Sequence, residues 1–289
     1  MILKSKRYIF LFLSPAILLI TIFLYYPLFK TIQYSFTDYS EWSQKFSYIG
    51  LENFKRLFTD VIIGKSLINT LILMAGCIFI EVGFALVLAV LVDYTKKGFR
   101  FFRTVYFFPV VISGSAIGLM FYLAFQYDYG LANNILSLLG IEKVNWITEN
   151  TAMLLVLIPV IWQYVGFYFV IFLTAIANVP GDIYESAALD GITGFNKTMY
   201  ITIPIIKEVI VTTAGLVIAG SLKVFDIVYV MTNGGPMDAS QLLSTYQYQQ
   251  AFVYNNQGYS SAISVLIIAL GLSIYIITNK LSQRKEGLE

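Results

Sequence analysis

Between two long apolar runs, residues 179–191 read Val179-Pro180-Gly181-Asp182-Ile183-Tyr184-Glu185-Ser186-Ala187-Ala188-Leu189-Asp190-Gly191, and the segment runs on to Ile203-Pro204. Its local chemistry predicts a short helix. Asp182 stands where an N-cap belongs and Glu185, three residues on, can reach back to it, which is the capping-box spacing. Pro180 and Gly181 prepare the start, and Gly191 suits a left-handed turn at the end. Ser186, Ala187 and Ala188 lie between the caps and offer a flat face that another protein can approach closely. On these features alone two readings stand side by side: a surface helix joining two membrane spans, and a docking helix for a cytoplasmic partner.

The runs on either side decide the class. Of 289 residues, 58% are hydrophobic and 12% charged, against about 25% charged in a soluble domain. Mean hydropathy is +0.74. The composition is that of a polytopic, all-α membrane protein, read as a single transmembrane domain over residues 1–289. Net charge is +2 and says less than its distribution. One cysteine, Cys77, excludes an internal disulfide and a cysteine-based metal site. Histidine is absent, which removes the commonest general base and proton relay. The sequence therefore offers no catalytic residue and no metal ligand set.

Apolar stretches cover about Tyr8 to Phe29, Ser66 to Val92, Thr104 to Phe125, Thr151 to Ala177, Ile205 to Met231 and Ser260 to Thr278. Each is long enough to cross a hydrocarbon core of ~30 Å, so six spans are expected. The first is too long for a signal-peptide core and no small-residue cleavage site follows it. Lys and Arg placement sets the orientation. The N-terminus (Lys4, Lys6, Arg7), the Lys96-Lys97-Arg100-Arg103 loop, the loop with Lys197, and the tail with Lys280, Arg284 and Lys285 fall inside. Both termini are then cytoplasmic, and the segment of about residues 180–204 lies on the cytoplasmic side. The first outer segment is the most mixed: Lys45, Lys55, Arg56 and Lys65 are offset by Asp38, Glu41, Glu52 and Asp60.

Proline and glycine gather in the middle spans: Pro109, Gly114 and Gly118 in the third, Pro159 and Gly166 in the fourth, Gly215 and Gly220 in the fifth. Broken helices are tolerated where a cavity or a neighbour satisfies the freed backbone, and transporters place substrate sites there. Three charges also fall inside spans: Glu81 in the second, Lys223 and Asp226 in the fifth. Each costs ~2.5–3.5 kcal/mol at a helix centre on insertion scales, so each is expected to face a cavity or a partner. Lys223 and Asp226 are three apart and on one helix would share a face and pair. Either they form a structural ion pair or they line a substrate path.

Glu185-Ser186-Ala187 with Asp190-Gly191, followed by Ile201-Thr202-Ile203-Pro204, resembles the EAA loop of ABC importer permeases. The family pattern is Glu-Ala-Ala, two residues, Asp-Gly, and a Thr-Leu-Pro-like end. Departures are Ser186 for the second alanine, Ile192 for a small residue, and Thr198 where an aromatic is usual. The similarity covers most of the chain. Tyr26-Pro27, Ser35-Phe36-Thr37-Asp38 and Gly50-Leu51-Glu52-Asn53-Phe54 resemble the first span and outer loop of sugar permeases. Phe107-Phe108-Pro109, Trp162-Gln163-Tyr164-Val165-Gly166-Phe167 and Phe225 to Pro236, ending Asn233-Gly234-Gly235-Pro236, are similar to the branch that holds the maltose- and glycerol-3-phosphate-type permeases.

The resemblance implies the ABC importer type I permease fold and a place in the bacterial or archaeal cytoplasmic membrane. It implies a second permease subunit, an extracytoplasmic solute-binding protein that delivers a carbohydrate, and a cytoplasmic ATPase dimer. Glu185, Ser186, Ala187, Asp190 and Gly191 would couple the chain to that ATPase. Gln163, Tyr164 and Phe167 of the fourth span, with Ser221, Lys223 and Asp226 of the fifth, would meet the sugar. Aromatic faces and hydrogen-bonding groups suit a sugar ring, apolar on its faces and polar at its rim. No Gly-x-x-x-x-Gly-Lys-Ser/Thr loop occurs, so ATP and Mg belong to the partner and no cofactor to this chain. Three alternatives are weighed: a permease for an anionic sugar or glycerol 3-phosphate with Lys223 as anchor, an ion-coupled secondary transporter using Glu81 or Asp226, and a membrane-embedded enzyme. The second has no need of an EAA-like loop, and the third lacks its chemistry.

Overall fold

The structure, a computed structural model, describes residues 6–43, 46–95 and 98–286. Lys4, Lys45, Lys96 and Lys97 lie outside the described residues, as do the side chains of Lys6, Arg7, Lys280, Arg284 and Lys285. In chain order the helices are α1 (Phe10–Tyr34), α2 (Glu52–Thr59), α3 (Val61–Thr95), α4 (Phe99–Val111), α5 (Gly114–Ala124), α6 (Leu131–Leu138), α7 (Ala152–Ala177), α8 (Gly181–Leu189), α9 (Gly194–Ile205), α10 (Lys207–Ser221), α11 (Asp226–Met231), α12 (Leu243–Tyr248) and α13 (Gln257–Glu286). The fold is all-α. Among the described residues four helices are long and apolar enough to cross a membrane, and up to six spans result when α4 with α5 and α9 with α10 each count as one.

The chain divides into two compact units. The first comprises Met1–Val61 and Gln247–Ala269. Here α1 is bare on its flanks: Phe10, Phe12 and Phe23 are each more than 70% exposed, as suits a helix in contact with lipid. The connection after α1 is held by polar contacts that explain its Gly-Leu-Glu-Asn-Phe stretch. The buried Asn53 amide donates to the carbonyls of Ser35 at 3.0 Å and Thr37 at 2.8 Å. Tyr259 donates to Asp60 at 2.8 Å, and the Arg56 guanidinium lies 3.9 Å from the Tyr259 ring centre.

The second unit comprises Ile62–Tyr246 and Leu270–Glu289. At its centre α3 packs along α7. Ala85 and Ala89, one turn apart on α3, are fully buried, and Phe169, Phe172 and Val156 of α7 are buried with them. In a membrane, association of this kind comes from close van der Waals packing, which small residues permit. The same close approach operates between α7 and α4. A β-carbon on Gly166 would come 1.7 Å from the Tyr106 carbonyl oxygen. Gly166→Ala must therefore push two helices apart. We expect a loss of ~1–3 kcal/mol, typical of overpacking, seen as a thermal midpoint several degrees lower for the purified protein.

The breaks differ from those expected of the sequence. The third run bends by 92° between α4 and α5. Pro109 sits in a tight turn over Phe108–Val111, and Ile112 and Ser113 then run extended. Its missing N–H and its ring disfavour a continuing helix. By contrast α7 is continuous through Pro159 and Gly166, so the fourth span is not broken. Gly215 and Gly220 lie within α10 and do not break it either. The fifth run is interrupted instead at Ile206, two residues after Pro204, with a bend of 69°, and again between Ser221 and Asp226. The second interruption overturns the shared helix face of Lys223 and Asp226. They are not midway along one helix: Lys223 lies in the gap and Asp226 begins α11.

The segment after α11 carries the Asn-Gly-Gly-Pro stretch, with a cis bond between Gly235 and Pro236. Its fold is fixed from α3. The Asn69 amide donates to the carbonyls of Asp238 and Gln241 at 3.3 and 3.0 Å, and Lys65 donates to Met237 at 3.2 Å. These bonds add side-chain donors to backbone carbonyls of a segment that is neither strand nor helix.

Candidate functional site

Two places in the second unit concentrate polar chemistry. The first is α8 with the turn after it. Pro180 caps the helix start without a side-chain bond and Asp182 lies in the first turn. The expected capping box is therefore not formed. The helix begins two residues earlier than that pattern requires, and Asp182 stabilises it instead by its charge near the positive end of the dipole. The end of the helix agrees with the sequence reading. Gly191 adopts φ +78°. Its N–H donates to the Ala188 carbonyl at 3.1 Å and Ile192 N–H to the Ala187 carbonyl at 2.8 Å. This is the Schellman pair of bonds, which needs a left-handed residue at this one position.

The α8 helix is held to α9 by Tyr184, whose hydroxyl lies 3.3 Å from Thr202 Oγ1 and whose ring lies 4.6 Å beneath the Lys197 ammonium. With Tyr184 turned inward, Glu185, Ser186 and Asp190 face outward and are exposed. Ala187 is buried, 5% exposed, so it sets how closely α8 lies on its own chain and is not on the outer face. Sequence reasoning missed Leu189, which is 90% exposed. A large apolar residue one position before the cap of an otherwise polar helix was the available signal. An exposed carboxylate, small residues and one bare leucine form a surface with the makings of a protein contact.

The second place is a cavity of ≈ 240 Å³ between α3, α7 and the interrupted fifth run. It forms where helices stop. Gln163 of α7, buried, donates to the Ile112 carbonyl at 3.0 Å and so satisfies a carbonyl freed by the α4–α5 break. Ser221, also buried, donates to Val217 at 2.8 Å. Tyr164 and Tyr168, one turn apart on α7, give the cavity an aromatic wall, and Lys223 and Asp226 reach it from either end of the Leu222–Phe225 gap.

The cavity thus brings together Gln163, Tyr164, Ser221, Lys223 and Asp226. Phe167 is not among its lining. It is 37% exposed, with its ring 5.3 Å from that of Tyr168. Lys223 and Asp226 are exposed in the single chain, and among the described residues no ion pair joins them. Their charges remain available to a ligand or a second subunit. Tyr168 and Glu81 line the same space. The four-residue spacing from Tyr164 was the signal for the first, and the charge in an apolar run for the second.

Residues 81–287 match the family described as binding-protein-dependent transport system inner membrane component. Over 281 residues the chain is 35% identical to the probable ABC transporter permease protein YurN of Bacillus subtilis, covering 95% of this chain and 96% of the relative. It is 33% identical to the lactose transport system permease protein LacF of Rhizobium radiobacter, covering 92% of each. Its fold superposes with a TM-score of 0.86 on a chain of a bacterial ABC transporter involved in import of the acidic polysaccharide alginate, at 24% identity over 97% of this chain and 96% of the other.

Proposed function

This chain belongs to the family of binding-protein-dependent transport system inner membrane components, and we propose that it imports a carbohydrate as one of two different permeases in an ATP-driven transporter. It is a multi-pass inner-membrane permease subunit and not a catalytic enzyme. The observation that carries the sugar reading is the cavity at the helix breaks. Its wall combines two tyrosines with an amide, a hydroxyl and charged groups, which is the mixture a sugar ring requires. Relatives of this length named for lactose and multiple-sugar transport support the same substrate class.

In this reading the α8 helix docks in a cleft of a cytoplasmic ATPase and carries the closure of the ATPase dimer to the helices around the cavity. Tyr184 and the Schellman turn fix the angle of α8, so a push on its outer face moves α9 and α10 as well. ATP and Mg are bound by that partner, and this chain needs no cofactor. A solute-binding protein delivers the sugar on the opposite side. Lys223 and Asp226, exposed in the single chain, face the second permease and complete the pathway with it.

The test is co-purification. The tagged chain, expressed with the products of its neighbouring reading frames, should retain an ATPase and a second permease, and sugar-loaded binding protein should stimulate ATP hydrolysis. Recovery of the chain alone, or with copies of itself only, would contradict the proposal. The orientation is tested separately. Reporter fusions after Asn53, Asn145 and Asn255 should report outside, and those after Thr193 and Lys285 inside. A cytoplasmic signal at Asn53 would overturn the topology.

A further inference from the structure

One face of α4 changes character along its length. Arg100, Arg103, Thr104, Phe107, Phe108 and Val111 recur at steps of three and four and so share a stripe. Its first turn is cationic and its far end is apolar. All six are exposed in the single chain, Phe108 at 63% and Val111 at 75%. From Arg103 onward the stripe, with Val170 of α7, lines an open groove of ≈ 290 Å³. Among the described residues neither arginine has an acid within ion-pair distance, and the sequence holds no Asp or Glu between Asp93 and Asp128. The Thr104 hydroxyl donates to the Arg100 carbonyl at 2.9 Å, which leaves the guanidinium groups as the donors at the polar end. From Arg100 to Val111 the helix rises about 17 Å, roughly half of a ~30 Å hydrocarbon core. The stripe stops where the chain bends by 92° into α5.

We propose that this groove binds an anionic phospholipid, with its phosphate on Arg103 beside Arg100 and one acyl chain along Phe107, Phe108 and Val111. The planar guanidinium fork suits a phosphate held by two parallel hydrogen bonds. The run Lys96-Lys97-Arg100-Arg103 sets four cations within eight residues, and such clusters beside a membrane span attract anionic headgroups. A zwitterionic lipid also carries a phosphate, but its own cation offsets the charge, whereas two arginines without an acid favour a net anion. A protein partner would have to bring acids to both arginines and an apolar ridge to the same narrow stripe. A single phospholipid carries both in this order, over the depth of one leaflet. The inference rests on the chain spanning a membrane and not on the sugar reading, so the two can fail separately.

The test places a photoreactive p-benzoylphenylalanine at Phe108 and, in a second variant, at Val111. The full chain, in the assembly recovered from the membrane, is reconstituted in vesicles of equimolar dioleoyl phosphatidylglycerol and dioleoyl phosphatidylcholine. After illumination, mass spectrometry identifies what is joined to the probe. Phosphatidylglycerol adducts should exceed phosphatidylcholine adducts about tenfold, the weight of a charge-assisted hydrogen bond. Adding Arg103→Gln should return the two lipids to near parity, and Arg100→Gln should lower the excess by about half or more. Both probe positions are exposed, so the second keeps the test decisive if the first variant does not assemble. Equal labelling by the two lipids overturns the inference, as does an excess that Arg103→Gln leaves unchanged. Adducts to a second permease or to another copy of the chain show that protein covers the groove, and overturn it as well. So does the absence of any lipid adduct at both positions.

Discussion

Glu185→Ala is expected to lower uptake by the assembled transporter roughly thirtyfold or more, while the chain inserts and folds as before. The carboxylate is exposed on the outer face of α8, so its removal leaves no buried group unsatisfied within the chain. Its effect must come from a contact outside the chain, and truncating one member of a buried charged pair at an interface costs about 2–5 kcal/mol in typical cases. Gly191→Pro reaches the same end by another route. Proline cannot adopt the observed φ of +78° and has no N–H for the Ala188 carbonyl. The helix end unravels and α8 loses its angle. Gly191→Ala, which only strains the left-handed turn by ~1–2 kcal/mol, should fall between wild type and proline. The readout is uptake normalised to complex recovered through the ATPase. Normal uptake by Glu185→Ala and Gly191→Pro would remove α8 from the coupling path.

Lys223→Met and Asp226→Leu should each reduce uptake about tenfold or more, and the double variant should not recover. Charged groups that hydrogen-bond a ligand contribute ~1.5–3 kcal/mol each. Had the two formed a buried pair, removing one would strand the other and removing both would restore function. They are not joined, and both are exposed at the two ends of an interrupted run. Each is therefore predicted to act on something other than its neighbour. Uptake is measured for both single variants and for the double, each corrected for assembled complex. Full uptake by the double variant would reduce both residues to bystanders.

The six-span architecture was legible because membrane length is a hard constraint and long apolar runs have few alternatives. The broken helices were legible only as a tendency. Proline and glycine density pointed to spans three to five, yet α7 runs straight through Pro159 and Gly166. Gly166 is glycine because Tyr106 needs the space, which no local pattern reveals. The interruption at Leu222–Phe225 has no proline or glycine within it, and its polar character comes only from the Lys223 side chain. Hence the spacing of Lys223 and Asp226, which is a pairing rule only on a continuous helix, led to the wrong geometry.

The turn at Gly191 was readable because a left-handed cap has few substitutes, whereas the start of α8 was not. Several residues near Asp182 can begin a helix, and the Pro180 backbone decided among them. In the cavity, residue type picked out five of its members. Phe167 shares a helix face by spacing with Gln163 and Tyr164 yet does not line the cavity, because the packing around α7, not the spacing, decides how much of that face the cavity takes in. Glu81 was visible as a charge in an apolar run, but its place opposite the fifth run required the fold.

The central claim is that this chain moves a carbohydrate inward at the expense of ATP. Proteoliposomes holding the complete transporter, with ATP inside and sugar-loaded binding protein outside, test it most directly. Labelled sugar should accumulate only when both are present, and collapse of proton and sodium gradients by ionophores should leave accumulation unchanged. Accumulation without ATP that ionophores abolish would contradict the account.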